Sequence, residues 1–369
     1  MKATDLTPFI ATHPGEILKD ELDASDISQS EFAKIIGFKR SQLNEFIKSK
    51  RNLNADLAIL LEKALGIDAD FWMEAQKNYD LDSARMKAKN SERLEAIEQL
   101  NFIKDKIAYS FLKKEKILKG DPIDDVKLIK TIYDVEHFEQ LANMRTEPSF
   151  SRFRKSTKLA IDPINIIGWS KLVEYKASMF LVPNFNYTCQ NVLIHKLKEI
   201  ITENEDTIKS SINLLAEYGI KLIIQKKGTK SPVDGISFWS NGNPAIGMSI
   251  RHKRVDNFAF TLFHELGHIF KHLVNNNECR FIDLDSKNEE KNYKNSIEEK
   301  EANRFAEEFL ISDSEWSQYF EKYGLEPLKD ANLIDHAKYI GIHPSILRGR
   351  VCHKLEFYKV KTQIIYNLQ

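Results

Sequence analysis

Phe258-Ala259-Phe260-Thr261-Leu262-Phe263-His264-Glu265-Leu266-Gly267-His268-Ile269-Phe270-Lys271-His272-Leu273 is an apolar run of helical length with ionisable groups at its centre. On a helix, residues four apart share a face, about one turn apart. His264 and His268 can therefore point two ring nitrogens at one spot. Glu265 follows the first histidine, close enough to reach a water held there. Phe260, Leu262, Phe263, Leu266, Ile269 and Phe270 account for burial of the run. They do not account for three ionisable groups inside it, which would be costly there if unpaired. Gly267 weakens a helix interior by about 1 kcal/mol unless something must approach closely. Two nitrogen donors, an open metal position and a carboxylate base are the requirements of a catalytic zinc ion.

Such an ion takes a third protein ligand. His272 continues the series, but three histidines at four-residue steps climb a straight helix by about 12 Å. One ion cannot take all three, so His272 is expected to be partly buried or to support a ligand from outside. The better source is the stretch Ile297 to Leu310. Ala302, Phe305, Ala306 and Phe309 make an apolar helical stripe there, and Glu298 and Glu299 lie at its N-terminal end. Helical geometry alone does not separate the two glutamates. Asn303 follows Glu299 by four residues, so it can accept a proton from the outer nitrogen of a metal-bound histidine. Glu301 points away from the stripe and reads as solvated. Upstream, Ile236–Ser240 and Pro244–Ile250 flank Asn241-Gly242 and read as a hairpin with a tight turn. Such a strand could offer an edge to an extended peptide.

The text from Phe260 to His268, followed by Glu299-x-x-Ala302-Asn303-x-Phe305-Ala306, resembles the ImmA/IrrE family of metallopeptidases. Tyr218–Ile224, Asp234–Trp239 and Ile342–Arg350 fit the same family, and the resemblance covers about the second half of the chain. It implies a zincin-like domain that uses Zn2+ to hydrolyse peptide bonds, with His264, His268 and Glu299 as ligands. Glu265 is then the base that deprotonates the attacking water, and Asn303 the outer partner of a histidine. A second donor to the developing oxyanion is also needed. Tyr293, His252, His336, Tyr339, His343 and Arg348 are the candidates. One departure is Ile311-Ser312, where the family has Met-Pro; it touches a helix end only.

The other end of the chain reads differently. Ser28-Gln29-Ser30-Glu31 is a capping box opening a short helix that carries Phe32, Ile35 and Ile36 inward, and Gly37 ends it. A second helix spans roughly Ser41 to Lys48, with Leu43, Phe46 and Ile47 as its apolar face. A third opens at Asn54 and runs through Leu57, Leu60, Leu61 and Leu65 to Gly66. Two short helices about a glycine turn, inside a small bundle, suit a helix-turn-helix. Arg40, Ser41, Gln42, Asn44, Lys48, Lys50 and Arg51 are the expected DNA contacts: Arg, Gln and Asn can read base edges, and Lys and Arg can grip phosphates. Residues 1–80 carry 10 basic and 14 acidic side chains, but residues 39–51 carry five basic and one acidic. A local basic stripe on an acidic domain still suits groove docking. Pro14–Leu18, Ser28–Ile36 and Ile67-x-x-x-Phe71-Trp72 resemble the HigA antitoxin branch of the Xre-type repressors. That resemblance implies operator DNA as a partner, a homodimer, and often a toxin partner.

The whole is expected to be mainly α with a small β-sheet, an α+β organisation. The expected divisions are a helix-turn-helix domain over 1–82, a helical connection over 83–150, a peptidase domain over 151–325 and a helical extension over 326–369. Ser83 to about Lys119 is charged and helical in pattern. Gly120-Asp121-Pro122 is a break, Ile123 to Met144 is helical again, and Arg145 to Ser156 is loop-like. Formal charge is zero, with 54 basic and 54 acidic residues, so global charge implies no partner. Cys189, Cys279 and Cys352 are scattered and odd in number, which excludes a disulfide framework or a paired zinc knuckle. No signal peptide and no membrane-length apolar run are visible, so a cytoplasmic location is expected. The pattern fits a DNA-binding regulator with its own zinc endopeptidase, cleaving a repressor or toxin in a stress-response, phage-related or toxin–antitoxin switch. The alternative is a HigA-type antitoxin or repressor that binds operator DNA and a toxin, with a zinc-binding domain that cleaves nothing.

Overall fold

The computed structural model describes residues 10–144, 163–229, 231–250, 253–284 and 296–369, without the side chains of 88–90 and 143. The chain divides into two compact units, residues 1–100 and 101–369. Arg145 to Ser156, His252 and Tyr293 lie outside the described residues.

The first unit is helical: α1 (Pro14–Ala24), α2 (Gln29–Ile35), α3 (Arg40–Ile47), α4 (Ala55–Leu65) and α5 (Ala69–Met86). Each early boundary has a local cause. His13 caps α1, its Nδ1 accepting from Gly15 N at 2.9 Å. Ser28 caps α2 through Glu31 N, Asn54 caps α4 through Leu57 N, and Gly66 closes α4 with a positive φ. Leu18, Leu22, Phe32, Leu43, Phe46, Leu57, Leu61 and Trp72 form the shared core. The expectation for Ile35 is corrected. Phe32, Ala33 and Ile36 turn inward, and Ile35, on the last turn of α2, is 61% exposed.

α6 (Ala88–Ile103) follows, and then the second unit holds α7 (Tyr109–Lys114), α8 (Pro122–Tyr133), α9 (Leu141–Met144), α10 (Pro163–Met179), α11 (Gln190–Glu203) and α12 (Thr207–Glu217). The break at Gly120–Pro122 starts α8, with Asp121 capping Ile123 N. Asp134 ends α8 in the left-handed conformation, so the helical stretch to Met144 is interrupted.

The sheet follows: β1 (Lys221–Ile224), β2 (Val233–Ser240), β3 (Asn243–Met248) and β4 (Phe281–Leu284), in the order β1-β3-β2-β4. The hairpin is as expected. Ser240 pairs with Asn243 across Asn241 and Gly242, both at positive φ, as a tight two-residue hairpin turn requires. It offers no edge, however: β3 lies between β1 and β2, and β2 lies between β3 and β4. Among the described residues the outer strands are β1 and β4.

α13 (Val255–His268) and α14 (Ile297–Leu310) pack against each other beside the sheet, followed by α15 (Asp313–Tyr323), α16 (Asp330–Ile340) and α17 (Pro344–Leu355). Phe258, Leu262, Phe263 and Leu266 of α13 join Phe305, Ala306 and Leu310 of α14 in one core. Gly267 explains the closeness. A Cβ there would stand 2.9 Å from Ala302 Cα and 3.1 Å from Ala302 O, so the helix accepts a weak former where α14 must approach. Among the described residues, no helix is long and apolar enough to cross a membrane. The three cysteines are free thiols.

Candidate metal centre

α13 carries His264, Glu265 and His268, all buried. The two Nε2 atoms lie 3.0 Å apart. Glu299 enters from the first turn of α14, fixed by Ser296, whose Oγ caps Glu299 N at 3.3 Å. Glu299 Oε2 lies 3.5 Å from His264 Nε2, and Oε1 lies 3.6 Å from His268 Nε2. Glu299 is buried while Glu298 is exposed, so packing separates the two glutamates where helical periodicity did not.

The outer nitrogens are held too. Asn303 Oδ1 is 3.0 Å from His264 Nδ1. An amide oxygen only accepts, so Nδ1 carries a proton, and Nε2, which faces Asp283, is the nitrogen left for a second proton or a metal ion. His268 Nδ1 faces His272 Nδ1 at 3.2 Å, and His272 Nε2 faces Glu301 Oε2 at 2.9 Å. Read back from the Glu301 carboxylate, His272 donates through Nε2 and accepts through Nδ1. His268 therefore also donates through Nδ1 and keeps its Nε2 lone pair. Glu301 is half exposed, but its carboxylate is not simply solvated: it anchors this relay. A π-type turn over Ile269–Leu273 follows α13 and carries Val274 N back to Ile269 O, so the backbone at His272 is not straight helix. Phe281 of β4 stacks on the His268 ring, centroids 4.3 Å apart at 9°.

Glu265 is wholly buried. Ser237 Oγ donates to Glu265 Oε2 and, at 3.2 Å, to its backbone oxygen. Gly235 makes room for the carboxyl, since a Cβ there would meet Glu265 Oε1 at 1.8 Å. This glycine is required by close approach, and its φ is ordinary.

One member of the cluster was not found in the sequence. Asp283 of β4, paired with Gly235 of β2, sets Oδ2 2.7 Å from His264 Nε2 and Oδ1 4.0 Å from His268 Nε2. His264, His268, Asp283 and Glu299 offer four ligand atoms within 4.8 Å of one another. The only local signal was an acidic residue in a short apolar strand, Phe281-Ile282-Asp283-Leu284.

Electrostatics tie the cluster together. Burial alone would lower His264, but the charge and hydrogen bond of Asp283, with help from Glu299, raise its pKa well above the usual histidine value. Burial would raise Asp283, yet His264 and His268 hold it below the usual carboxylate range. Burial raises Glu265, the Asp283 charge adds to this, and His264 and Ser237 oppose it. The donor set fits a divalent cation. The two Nε2 atoms face each other and the carboxylates of Asp283 and Glu299, and Glu265 Oε1 and Asp283 Oδ1 are buried without a hydrogen-bond donor. His264, His268 and Glu299 would hold such a cation between them.

Three of the four described oxyanion candidates are hydrogen-bonded elsewhere. His336 Nε2 lies 3.1 Å from Glu315 O, His343 caps α17, and Arg348 Nη2 donates to Val360 O at 2.8 Å. Tyr339 is 76% exposed.

In the first unit, Arg40, Ser41, Lys48, Lys50 and Arg51 are exposed, and Gln42 and Asn44 half-buried, on and just after α3. Leu43, Phe46 and Ile47 anchor the other face. Glu45, the acidic residue of the stripe, pairs with Arg51 at 3.7 Å.

A helix-turn-helix family model matches residues 18–72, and the IrrE N-terminal-like domain of the M78 peptidase family matches residues 216–327. Virulence-associated protein I of Dichelobacter nodosus is 39% identical over 75 residues, 20% of this chain and 69% of that protein. YbaQ of Escherichia coli K12, an uncharacterized HTH-type transcriptional regulator, is 31% identical over 88 residues, 24% of this chain and 78% of that protein. Among solved structures, the Pseudomonas aeruginosa antitoxin HigA with the higBA promoter matches at 36% identity. That match covers 23% of this chain and 92% of the antitoxin, with a TM-score of 0.22.

Proposed function

The chain belongs to the helix-turn-helix family and carries an IrrE N-terminal-like domain of the metallopeptidase type, and from that premise we propose a DNA-binding regulator with a working zinc endopeptidase. Its substrate is a specific protein, a repressor or a toxin, in a stress-response, phage-related or toxin–antitoxin switch. The observation that carries this reading is the convergence of His264, His268 and Glu299 beside the buried carboxyl of Glu265. A purely structural ion has no use for that carboxyl.

His264, His268 and Glu299 would hold the ion. Zinc there would polarise both a water and the scissile carbonyl. Asn303 and the His272–Glu301 pair hold the Nδ1 sides of the two rings, so that both Nε2 atoms would face the ion. Glu265 takes the proton of the attacking water at its free oxygen and passes it to the leaving amine. Ser237 holds the other oxygen, so the carboxyl cannot rotate away.

Arg40, Gln42 and Asn44 would meet base edges at an operator, with Ser41, Lys48, Lys50 and Arg51 on phosphates. A homodimer through the first unit would match a two-fold operator, and a cytoplasmic location follows from these partners. The divisions 1–82, 83–150, 151–325 and 326–369 are retained as the proposed functional segments.

A second reading is a HigA-type regulator whose zinc domain cleaves nothing. The observation favouring it is Asp283, a further carboxylate in the cluster. New protein N-termini, labelled across the proteome of cells making the wild type or Glu265→Gln, decide between them. Termini that appear only with the wild type support the peptidase. Identical sets overturn it.

A further inference from the structure

Asp283 touches both halves of the site. Its Oδ2 is at 2.7 Å from His264 Nε2, on the metal side. It is paired with Gly235, the residue against which the Glu265 carboxyl lies. A water activated by Glu265 must stand between that glutamate and the ion. Asp283 stands in that space. It is 8% exposed, and its Oδ1 meets no hydrogen-bond donor. A buried carboxylate oxygen without a donor is costly unless a cation or a proton satisfies it.

The count matters as well. Three protein ligands leave a tetrahedral ion one open position, and four close it. His264, His268, Glu299 and Asp283 make four. The strand that delivers Asp283 differs from the helices that deliver the others. β4 is a four-residue strand paired with β2, not a helix. Its register against β2 shifts between Val233 and Gly235, beside Asp283.

We propose that Asp283 is a fourth protein ligand that closes the metal to solvent in the resting chain, so that the peptidase is latent until that carboxylate is displaced. This rests on the peptidase reading above. In the opening step the Asp283 carboxylate leaves the ion and one water takes its place. No electron changes hands, and the departing carboxylate keeps its charge.

The test uses the full chain loaded with cobalt(II) alone in place of zinc. Solvent-proton relaxation reports whether water exchanges on the ion, and visible absorption reports its coordination. The wild type is expected to bind cobalt with four protein ligands and no exchanging water. Asp283→Ala and Asp283→Asn, checked for folding by circular dichroism, are expected to gain exchanging water. Their metal affinity should fall by roughly 10- to 100-fold or more. Loss of cobalt from a folded variant also supports Asp283 as a ligand, because closure is read from the wild type. Exchanging water on the wild type, unchanged by either substitution, overturns latency and leaves the peptidase reading intact. A wild type that binds neither cobalt nor zinc overturns both.

Discussion

Replacing Gly267 with alanine sets two effects against each other. Helix propensity alone favours the change by about 1 kcal/mol. The new Cβ, however, would stand 2.9 Å from Ala302 Cα and 3.1 Å from both Ala302 O and Phe305 Cβ, so α14 must recede by a few tenths of an ångström. Two of these three atoms are backbone, which cannot rotate away as a side-chain tip would. Overpacking of this kind costs about 1–3 kcal/mol, which equals or exceeds the propensity gain. The recoil also moves Glu299, carried one turn earlier on α14, while metal sites tolerate ligand displacements of only about 0.2 Å. Each 1.4 kcal/mol lost from binding is about tenfold in affinity. Chelator competition should therefore show zinc affinity reduced about tenfold or more in Gly267→Ala. Thermal unfolding should show a lower Tm for the zinc-loaded variant than for the zinc-loaded wild type. A higher Tm with unchanged zinc affinity would refute the reasoning, because propensity would then have won and α14 would not be in tight contact.

His13 gives the first unit a pH dependence. Burial lowers its pKa against the opposing charges of Glu16 and Asp80, so the unfolded chain binds the proton more readily. Stability is full above the ordinary value of 6.5 and is lost as the pH falls from there through the lowered folded value. Protonation of Nδ1 also removes the α1 cap, worth about 1 kcal/mol. Opening of α1, read from hydrogen exchange corrected for the intrinsic rate, should increase as the pH falls below about 6.5, and His13→Asn, which caps without titrating there, should flatten that response. His272→Ala should reduce zinc affinity by about 10-fold or more, by freeing the His268 ring; unchanged affinity in the chelator assay would remove His272 from the site. Lys48→Ala with Lys50→Ala should lower the slope of log K against log salt by about 0.9 per lost phosphate contact. Gln42→Ala should instead cost about 1–3 kcal/mol and relax base preference. Operator titrations at several salt concentrations separate the two effects.

The parts legible in the sequence are those specified locally. The i, i+4 histidines and the Glu299–Asn303 spacing lie on single helices, and the Asn241-Gly242 turn joins two adjacent strands, so local geometry implies all three. The Asn54 and Ser28 caps act over three residues and were equally readable. Gly267 was legible as a required close approach, though its partner, Ala302, was not. The parts missed depend on pairing at a distance. Asp283 enters the site only because β4 pairs with β2, and a four-residue strand carries too little alternation to announce itself. The sheet order decides that the hairpin has no free edge, and no local pattern encodes that order. Ile35 was misplaced because a seven-residue helix has a narrow buried face, and neighbouring isoleucines compete for it. The outer role of Glu301 depends on the π-type turn that follows α13.

Metal content of the purified wild type beside His264→Ala and Glu299→Ala tests the central claim most directly. The account predicts about one zinc per chain in the wild type and its loss from both variants. Wild type that stays metal-free after zinc is offered, or Glu299→Ala that keeps its zinc at wild-type affinity, would contradict it.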